Sequence, residues 1–233
     1  MKLSELITIV IPCKNELNII EQSLTLLNFQ KNIKDVKVII ADSSDDNTTN
    51  MIKSRTNDLF NLKIIQGGLP SKARNNGSKE TTTPYILFID ADMFILEQNL
   101  IQELLNDVIE NDLDLITLKI RTTNGKYNYV FKSFDVIQNI TKLISPFCVG
   151  GFMLFKKETF DKLKGFDESA IVAEDYLLSK QIKPSKFKIS NKIIFTTPRR
   201  FEHKGVWYMV KLMVESFINR NNKNYFYNHK TYW

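Results

Sequence analysis

The sequence predicts an α/β protein: a single domain with a mostly parallel central sheet flanked by helices, then a C-terminal amphipathic helix and tail. Three observations carry this expectation. Short apolar runs rich in β-branched residues alternate with stretches of helical periodicity, the pattern of parallel strands joined by crossover helices. The chain has 233 residues, enough to bury a large core unaided. No linker or composition break divides it.

Leu6 to Ile11 (LITIVI) is apolar and stopped by Pro12, as expected for a strand buried on both faces. Glu16 to Leu27 places Ile19, Ile20, Leu24 and Leu27 at helical spacing. Val36 to Ala41 is a second strand, ended by the polar turn DSSDDNTT, and Asn47 or Thr48 caps a helix reaching about Thr56. Leu62 to Ile65 is a third strand, Gly67 to Pro70 a loop and Ser71 to Glu80 a helix. Tyr85 to Ile89 (YILFI) is a fourth strand, followed by a helix over 97–110 and a strand over 113–119. Helical spacing returns over 127–144, and Gly150-Gly151 leads into the strand FMLF. Glu158 to Leu163 and YLLSKQI read as short helices, Lys188 to Phe195 as a strand, and Gly205 opens the last helix.

Composition narrows the classes. Hydrophobic residues are 43% and charged residues 25%, which excludes disorder, collagen and coiled coil as the main state. Two cysteines, Cys13 and Cys148, exclude a disulfide framework and suit a reduced, intracellular setting. No apolar run reaches the roughly 18 residues of a transmembrane helix, and the N-terminus meets Pro12 and charges too early for a secretory signal. The net charge of +6 is uneven: residues 183–233 carry +9 and residues 1–182 carry −3. Such a basic C-terminal fifth is either a solvated surface or a meeting place for an anionic partner.

Parallel sheets bind ligands at the carboxyl ends of their strands. Three expected strands end there in polar residues: Asn15-Glu16, Asp42, and Asp90 with Asp92. Asp90-Ala91-Asp92 puts two hard oxygen donors one residue apart, suited to Mg²⁺ or Mn²⁺ bridging to a diphosphate, or else to a solvated turn. Glu174-Asp175 can supply a general base or simply favour a helix start. Arg199-Arg200 suits phosphate geometry or an exposed basic turn.

The order of these motifs resembles that of family 2 glycosyltransferases with the GT-A nucleotide-sugar-binding fold. The matching segments are TIVIPCKNE (8–16), VIIADSSDDNT (38–48), ARNNG (73–77), YILFIDAD (85–92), GGFMLFKKETFDKLKGFDE (150–168) and AEDYLLSKQI (173–182). The resemblance implies that Pro12 and Glu16 meet the nucleotide and that Asp42 bonds its base, uracil more often than guanine. It implies Arg74, with Lys72 as rival, beside the nucleotide, Asp90 near ribose and metal, and Asp92 as the metal ligand. Asp175 falls on the catalytic base, and Glu174 orients it or touches the acceptor. Arg199 and Arg200 would contact the diphosphate, and His203 would join the metal, Mn²⁺ or Mg²⁺. The implied reaction is a single displacement with inversion at the anomeric carbon. Two departures stand out: Ala41 replaces the first of two acids usual after the second strand, and only Arg199-Arg200-Phe201 stands near an expected Arg-Trp signature.

The resemblance further implies a transferase domain over 1–204, with a nucleotide-binding half of about 1–120 and an acceptor half of about 121–204. The donor would be a UDP-sugar, or else a GDP-sugar, and the acceptor a glycan or lipid-linked sugar in cell-surface synthesis; nucleic acid is not expected. Residues 205–233 form the amphipathic helix and aromatic-basic tail, which can meet the inner face of the cell membrane, a second subunit or its own domain. Two other functions compete. A haloacid-dehalogenase-type phosphatase also carries Asp-x-Asp, but on its first strand with Thr or Val two residues later, where this chain has Phe94. A non-catalytic nucleotide-sugar or polyanion-binding module would use the basic tail, and the intact Glu174-Asp175 pair argues against it.

Overall fold

The computed structural model describes residues 2–54 and 61–228. The elements run α1 (Leu3–Leu6), β1 (Ile7–Cys13), α2 (Ile20–Asn28), β2 (Lys37–Asp42), α3 (Thr48–Ser54), β3 (Asn61–Gln66), α4 (Pro70–Lys79) and β4 (Tyr85–Ile89). They continue with β5 (Met93–Phe94), α5 (Leu100–Glu110), β6 (Leu115–Thr122), α6 (Asn128–Thr141), β7 (Phe152–Lys156), α7 (Lys157–Lys162) and α8 (Glu174–Ser179). Then come β8 (Phe187–Thr196), α9 (Arg199–Lys204), α10 (Val206–Ile218) and α11 (Lys223–Tyr227).

One sheet of eight strands has the order β3-β2-β1-β4-β7-β6-β8-β5. Strands β3, β2, β1 and β4 are parallel neighbours. Their alternating side chains feed two cores, as the two-residue period of a strand requires. Ile9, Ile11, Val38, Ile40, Leu87 and Ile89 face a core shared with α2 and α5. Val10, Ile39, Ile86 and Phe88 face the other, with Phe155, Phe160 and Phe166. Burial on both faces is why these strands read as unbroken apolar runs.

Strand β7 breaks the parallel pattern, pairing antiparallel with both β4 and β6. Its N-terminal end therefore lies beside the carboxyl end of β4, and Ile89 pairs with Phe152. This reversal brings Gly150-Gly151 alongside Asp90, whose N–H donates to the Gly151 carbonyl at 3.0 Å. The two-residue strand β5 likewise pairs Met93 with Thr196, which ties the segment after Asp92 to the end of β8.

Several elements differ from the sequence reading. The helix expected from Glu16 begins only at Ile20, because Asn15 takes a left-handed conformation (φ 55°) that turns the chain over the strand ends. The helix expected to Ile144 stops at Thr141, four residues before the Ser145-Pro146 pair that disfavours helical backbone. The basic turn expected at Arg199-Arg200 is the short helix α9. Part of the tail is ordered as α11, with Phe226 fully buried among Phe147, Tyr176 and Leu212. The end of the helix expected to reach Thr56, and the tail residues Lys230 and Trp233, lie outside the described residues. Among the described residues, no helix is long and apolar enough to cross a membrane.

Helix α4 lies unusually close to β1. A Cβ placed on Gly77 would stand 2.3 Å from Val10 Cγ1, and Val10 is a fully buried β-branched residue with one favoured rotamer. Gly77→Ala is thus expected to lower stability by about 1–3 kcal/mol through overpacking, despite alanine's higher helix propensity. Urea unfolding measures this, and an unchanged or raised midpoint would show that the contact is not tight.

Candidate active site

A cavity of about 680 Å³ opens at the carboxyl edge of β1 and β4. Its polar half is lined by Pro12, Glu16, Arg74, Asp90, Asp92, Glu174 and Asp175. Arg199, Arg200 and His203 of α9 form its basic rim. Two of the expected site residues lie elsewhere. Asp42 is buried at the end of β2, where its carboxylate accepts from Ser44 N at 3.0 Å, Ser44 Oγ at 2.6 Å and Thr49 Oγ1. Lys72 is exposed on α4 and does not line the cavity.

Arg74 is the centre of the site. It is 3% exposed and held at the midpoint of α4, whose start is favoured by Pro70 in the first turn. Its Nη2 donates to Asp90 Oδ1 and its Nη1 to Glu174 Oε1, both at 2.7 Å. Its guanidinium lies 5.4 Å from the Phe166 ring centre. One cation thereby joins the end of β4 to the start of α8, a hundred residues apart in sequence. Burial alone would weaken the charge, but the two carboxylates outweigh it and hold Arg74 firmly protonated.

Asp175 faces Asp90 across the glycine pair. Its Oδ1 accepts from Tyr176 N at 2.7 Å, and its Oδ2 from Gly150 N. A Cβ on Gly150 would sit 2.8 Å from Asp175 Oδ2. At Gly151, where φ is +112°, a Cβ would meet Met93 Cε at 2.1 Å. The pair is glycine because the backbone must pass between two carboxylates with no room for a side chain. The residue before the acids, Ala173, is left-handed (φ 55°), a conformation costly for alanine and often found where a site is held in shape. Burial, reinforced by the Glu174 charge, pushes the Asp175 carboxyl up to about 7.

On the opposite wall, Asp92 Oδ2 accepts from Thr196 Oγ1 at 3.2 Å and Thr197 Oγ1 at 3.1 Å. Arg199 Nη2 donates to both oxygens of Glu16 at 2.9 and 2.8 Å and stands 3.6 Å from Asp92 Oδ2. Burial raises the Glu16 carboxyl, and Arg199 partly offsets this. The loops after β1 and β2 are laced together by Asn15, whose Nδ2 donates to Asp45 Oδ1 at 2.6 Å. Both cysteines are free and buried, and burial pushes their thiols up, which excludes a thiolate nucleophile at neutral pH.

The arrangement is two acidic stations, Asp90 with Asp92 and Glu174 with Asp175, bridged by one buried guanidinium and rimmed by cations. A family model described as "Glycosyl transferase family 2" matches residues 8–164. The chain belongs to this family. A poly(ribitol-phosphate) beta-glucosyltransferase of Bacillus spizizenii is 26% identical over 216 residues, covering 87% of this chain and 34% of that protein. An O-antigen chain rhamnosyltransferase of Salmonella anatum is 24% identical over 169 residues, 66% of this chain and 52% of the relative. The chain thus spans about half or less of the length of these relatives. A mannosyltransferase from Pyrobaculum calidifontis, solved with GDP-mannose and Mn²⁺, superposes with a TM-score of 0.75 at 18% identity, covering 97% of this chain and 65% of the other. Staphylococcus aureus TarS (residues 1–349), solved with UDP-GlcNAc, gives 0.65 at 21% identity over 82% of this chain and 58% of the other. At such identities the likeness is one of fold, and the fold is GT-A.

GT-A transferases commonly use a divalent cation. Among the described residues of this family 2 protein, no three His, Cys, Asp or Glu side chains gather closely enough to cage a metal. The residues nevertheless suit one, because Asp90 and Asp92 offer hard oxygens to the same cavity. Mg²⁺ typically takes one or two carboxylates and completes its shell with phosphate oxygens and water. The sequence reading missed Thr196, Thr197 and the Gly150 N–H as parts of this site. Thr196 and Thr197 stand in no motif, the Gly-Gly motif gave no sign of the Gly150 N–H bond to Asp175, and each reaches the site only through the pairing of β5 with β8 or the reversal of β7.

Removing the central cation should expose what it holds. Arg74→Met strands two carboxylates against each other and is expected to destabilise the fold by about 3–5 kcal/mol. Adding Glu174→Gln to it should restore a measurable part of that loss in chemical denaturation. Equal stability of Arg74→Met and the parent would mean that the bridge holds nothing together.

Proposed function

We propose that this protein is a metal-assisted, inverting glycosyltransferase that moves a sugar from a nucleoside-diphosphate sugar to an acceptor hydroxyl. The observation that carries this reading is the single cavity in which the Asp90–Asp92 station and Asp175 face one another across Gly150-Gly151. On this reading the acceptor hydroxyl gives its proton to Asp175 and its oxygen bonds to C1 of the donor sugar. The bond from C1 to the diphosphate oxygen breaks, and nucleoside diphosphate leaves with the electron pair. Inversion follows because the base and the leaving group lie on opposite sides of C1.

The chain's own residues divide this work. Pro12, Glu16 and Asp90 shape the nucleotide end, and Asp42 acts from behind it by fixing the Ser44 and Thr49 turn. Asp92, with Asp90, would hold Mn²⁺ or Mg²⁺, and His203 on the rim can approach the same ion. The cation supplies charge to the departing diphosphate when bound. Arg199 leaves Glu16 for the diphosphate, and Arg200 stands beside it. Arg74 keeps Asp90 and Glu174 in register, while Lys72 lies too far out on α4 to replace it. Glu174, held by Arg74, raises the affinity of Asp175 for a proton and so sharpens it as a base near neutral pH.

The donor half spans about 1–120 and the acceptor half about 121–204, with 205–233 appended. A UDP-sugar is favoured, and a GDP-sugar fits the same phosphate chemistry. The relatives' names support a role in cell-surface glycan synthesis, and the basic C-terminal helix suits work at the inner face of the membrane. A carboxyl that is buried, raised to about 7 and open to the cavity favours catalysis over a module that only binds.

Four outcomes test the reading. Asp92→Ala should abolish Mn²⁺-dependent binding of UDP or GDP while the circular dichroism spectrum stays that of the parent; retained Mn²⁺-dependent affinity contradicts the metal assignment. Asp175→Asn should lower kcat by a factor on the order of 10²–10⁴ with donor affinity nearly unchanged. A collapse of donor affinity with kcat preserved would make Asp175 a binding residue. For the parent, kcat/KM should fall below a pH of about 7, where Asp175 takes up its proton. The same raised carboxyl makes folding stability fall as pH rises between its unfolded range and about 7, since the folded state holds the proton longer. Asp175→Asn should flatten that slope.

A further inference from the structure

The cavity has a second half that the proposed sugar transfer does not use. Beyond Asp175 it continues as a cleft between α6 and α10, lined by Phe134, Ile137, Phe147, Leu212, Met213 and Phe217. It contains no carboxylate, so neither a diphosphate–metal complex nor a free sugar gains much there. Both helices that form it also carry large apolar residues that are exposed among the described residues. On α6 these are Tyr129, Val136 and Ile140, spaced i, i+7, i+11 on one helical face, and on α10 Trp207 and Ile218, with the half-exposed Val214 lining the cavity between them. Leu143 and Ile144, just past α6, are 73% and 88% exposed. Soluble surfaces rarely leave so many large apolar side chains together unless something covers them.

The charge around the cleft says what covers them. Arg200, His203 and Lys204 line the same cavity as the acidic residues and the apolar cleft. Lys132 on α6, and Lys211 and Arg220 on and just after α10, are exposed. Apolar side chains beside lysine and arginine suit an anionic amphiphile, whose head meets the cations and whose chain enters the cleft. Covering the face with a second copy of this basic chain would set like charges against each other.

We infer that the α6–α10 cleft holds the hydrocarbon chain of a lipid-linked acceptor with an anionic linkage, so that its sugar hydroxyl reaches Asp175 from the membrane side. The inference rests on the transferase reading and names its acceptor class. Helix α10 packs on the protein through Leu212 and Ser216 and offers its opposite face to the lipid surface, with the acceptor drawn between it and α6.

The test uses octyl, decyl and dodecyl phosphate below their micelle concentrations, titrated calorimetrically into the full chain. Saturable binding with one site is expected, strengthening by up to about fourfold per added methylene, while inorganic phosphate shows no comparable binding. Phe217→Glu, at a half-exposed cleft position, should weaken dodecyl phosphate at least tenfold and leave Mn²⁺–UDP binding intact. Absence of saturable binding, affinity independent of chain length, or an unaffected Phe217→Glu variant would each overturn the inference. So would light scattering that shows a dimer which Trp207→Glu makes monomeric, since a second copy would then own the face. If neither UDP nor GDP binds with Mn²⁺ while the chain-length series behaves as expected, the transferase reading fails and the lipid cleft stands. The reverse result removes the cleft alone.

Discussion

The buried guanidinium of Arg74 is the constraint on which the rest of the site depends. A charge taken out of water must be paired, and an arginine can hold two carboxylates in a fixed fork. Arg74 uses that fork to clamp Asp90 to one side and Glu174 to the other. The partners come from different layers of the fold, one at the end of a parallel strand and one at the start of a late helix. Their separation is therefore set by one rigid side chain rather than by two loops. The neighbouring groups inherit the arrangement: Asp175 follows Glu174 directly, and Asp92 lies two residues beyond Asp90.

Such a clamp needs close backbone, which the fold provides in two places. Gly77 lets α4 sink onto Val10, which brings Arg74 under the sheet edge. Gly150-Gly151 lets β7 begin between the two acidic stations. The reversed β7 is thus more than a topological detail. A parallel strand in that place would begin at the far edge of the sheet and leave Asp175 without its Gly150 donor.

Much of this was legible in the sequence, for physical reasons. Strands buried on both faces must be apolar throughout, so LITIVI, VKVIIA and YILFI stand out, and the polar residues after them stand out in turn. Asp-x-Asp is visible because it follows an apolar strand directly, and Glu-Asp because paired acids mark a helix start. Ten of the expected site residues line one cavity. What the sequence hid depends on contacts far apart in the chain. The Arg74–Glu174 bond joins residues a hundred positions apart, and Thr197 meets Asp92 across 105 positions. Helix α9 and strand β5 are too short to show a period. The face of α10 was legible as apolar, but its exposure follows only from what packs on the other side.

The polar and apolar halves of the cavity make one chemical statement when joined. On the proposed reading the acidic end takes a metal–diphosphate pair, and Asp175 shares its cavity with the cations of α9 and with the apolar cleft. Backbone amide mapping by NMR with UDP and Mg²⁺, followed by replacement of Mg²⁺ by Mn²⁺, tests this central claim most directly. The account predicts shift changes at Asn15–Glu16, Asp90–Asp92 and Gly150–Gly151, with Mn²⁺ broadening strongest at Ala91, Asp92 and Thr197. Shifts confined to the basic residues of α9 to α11, with no broadening near Asp92, would contradict it.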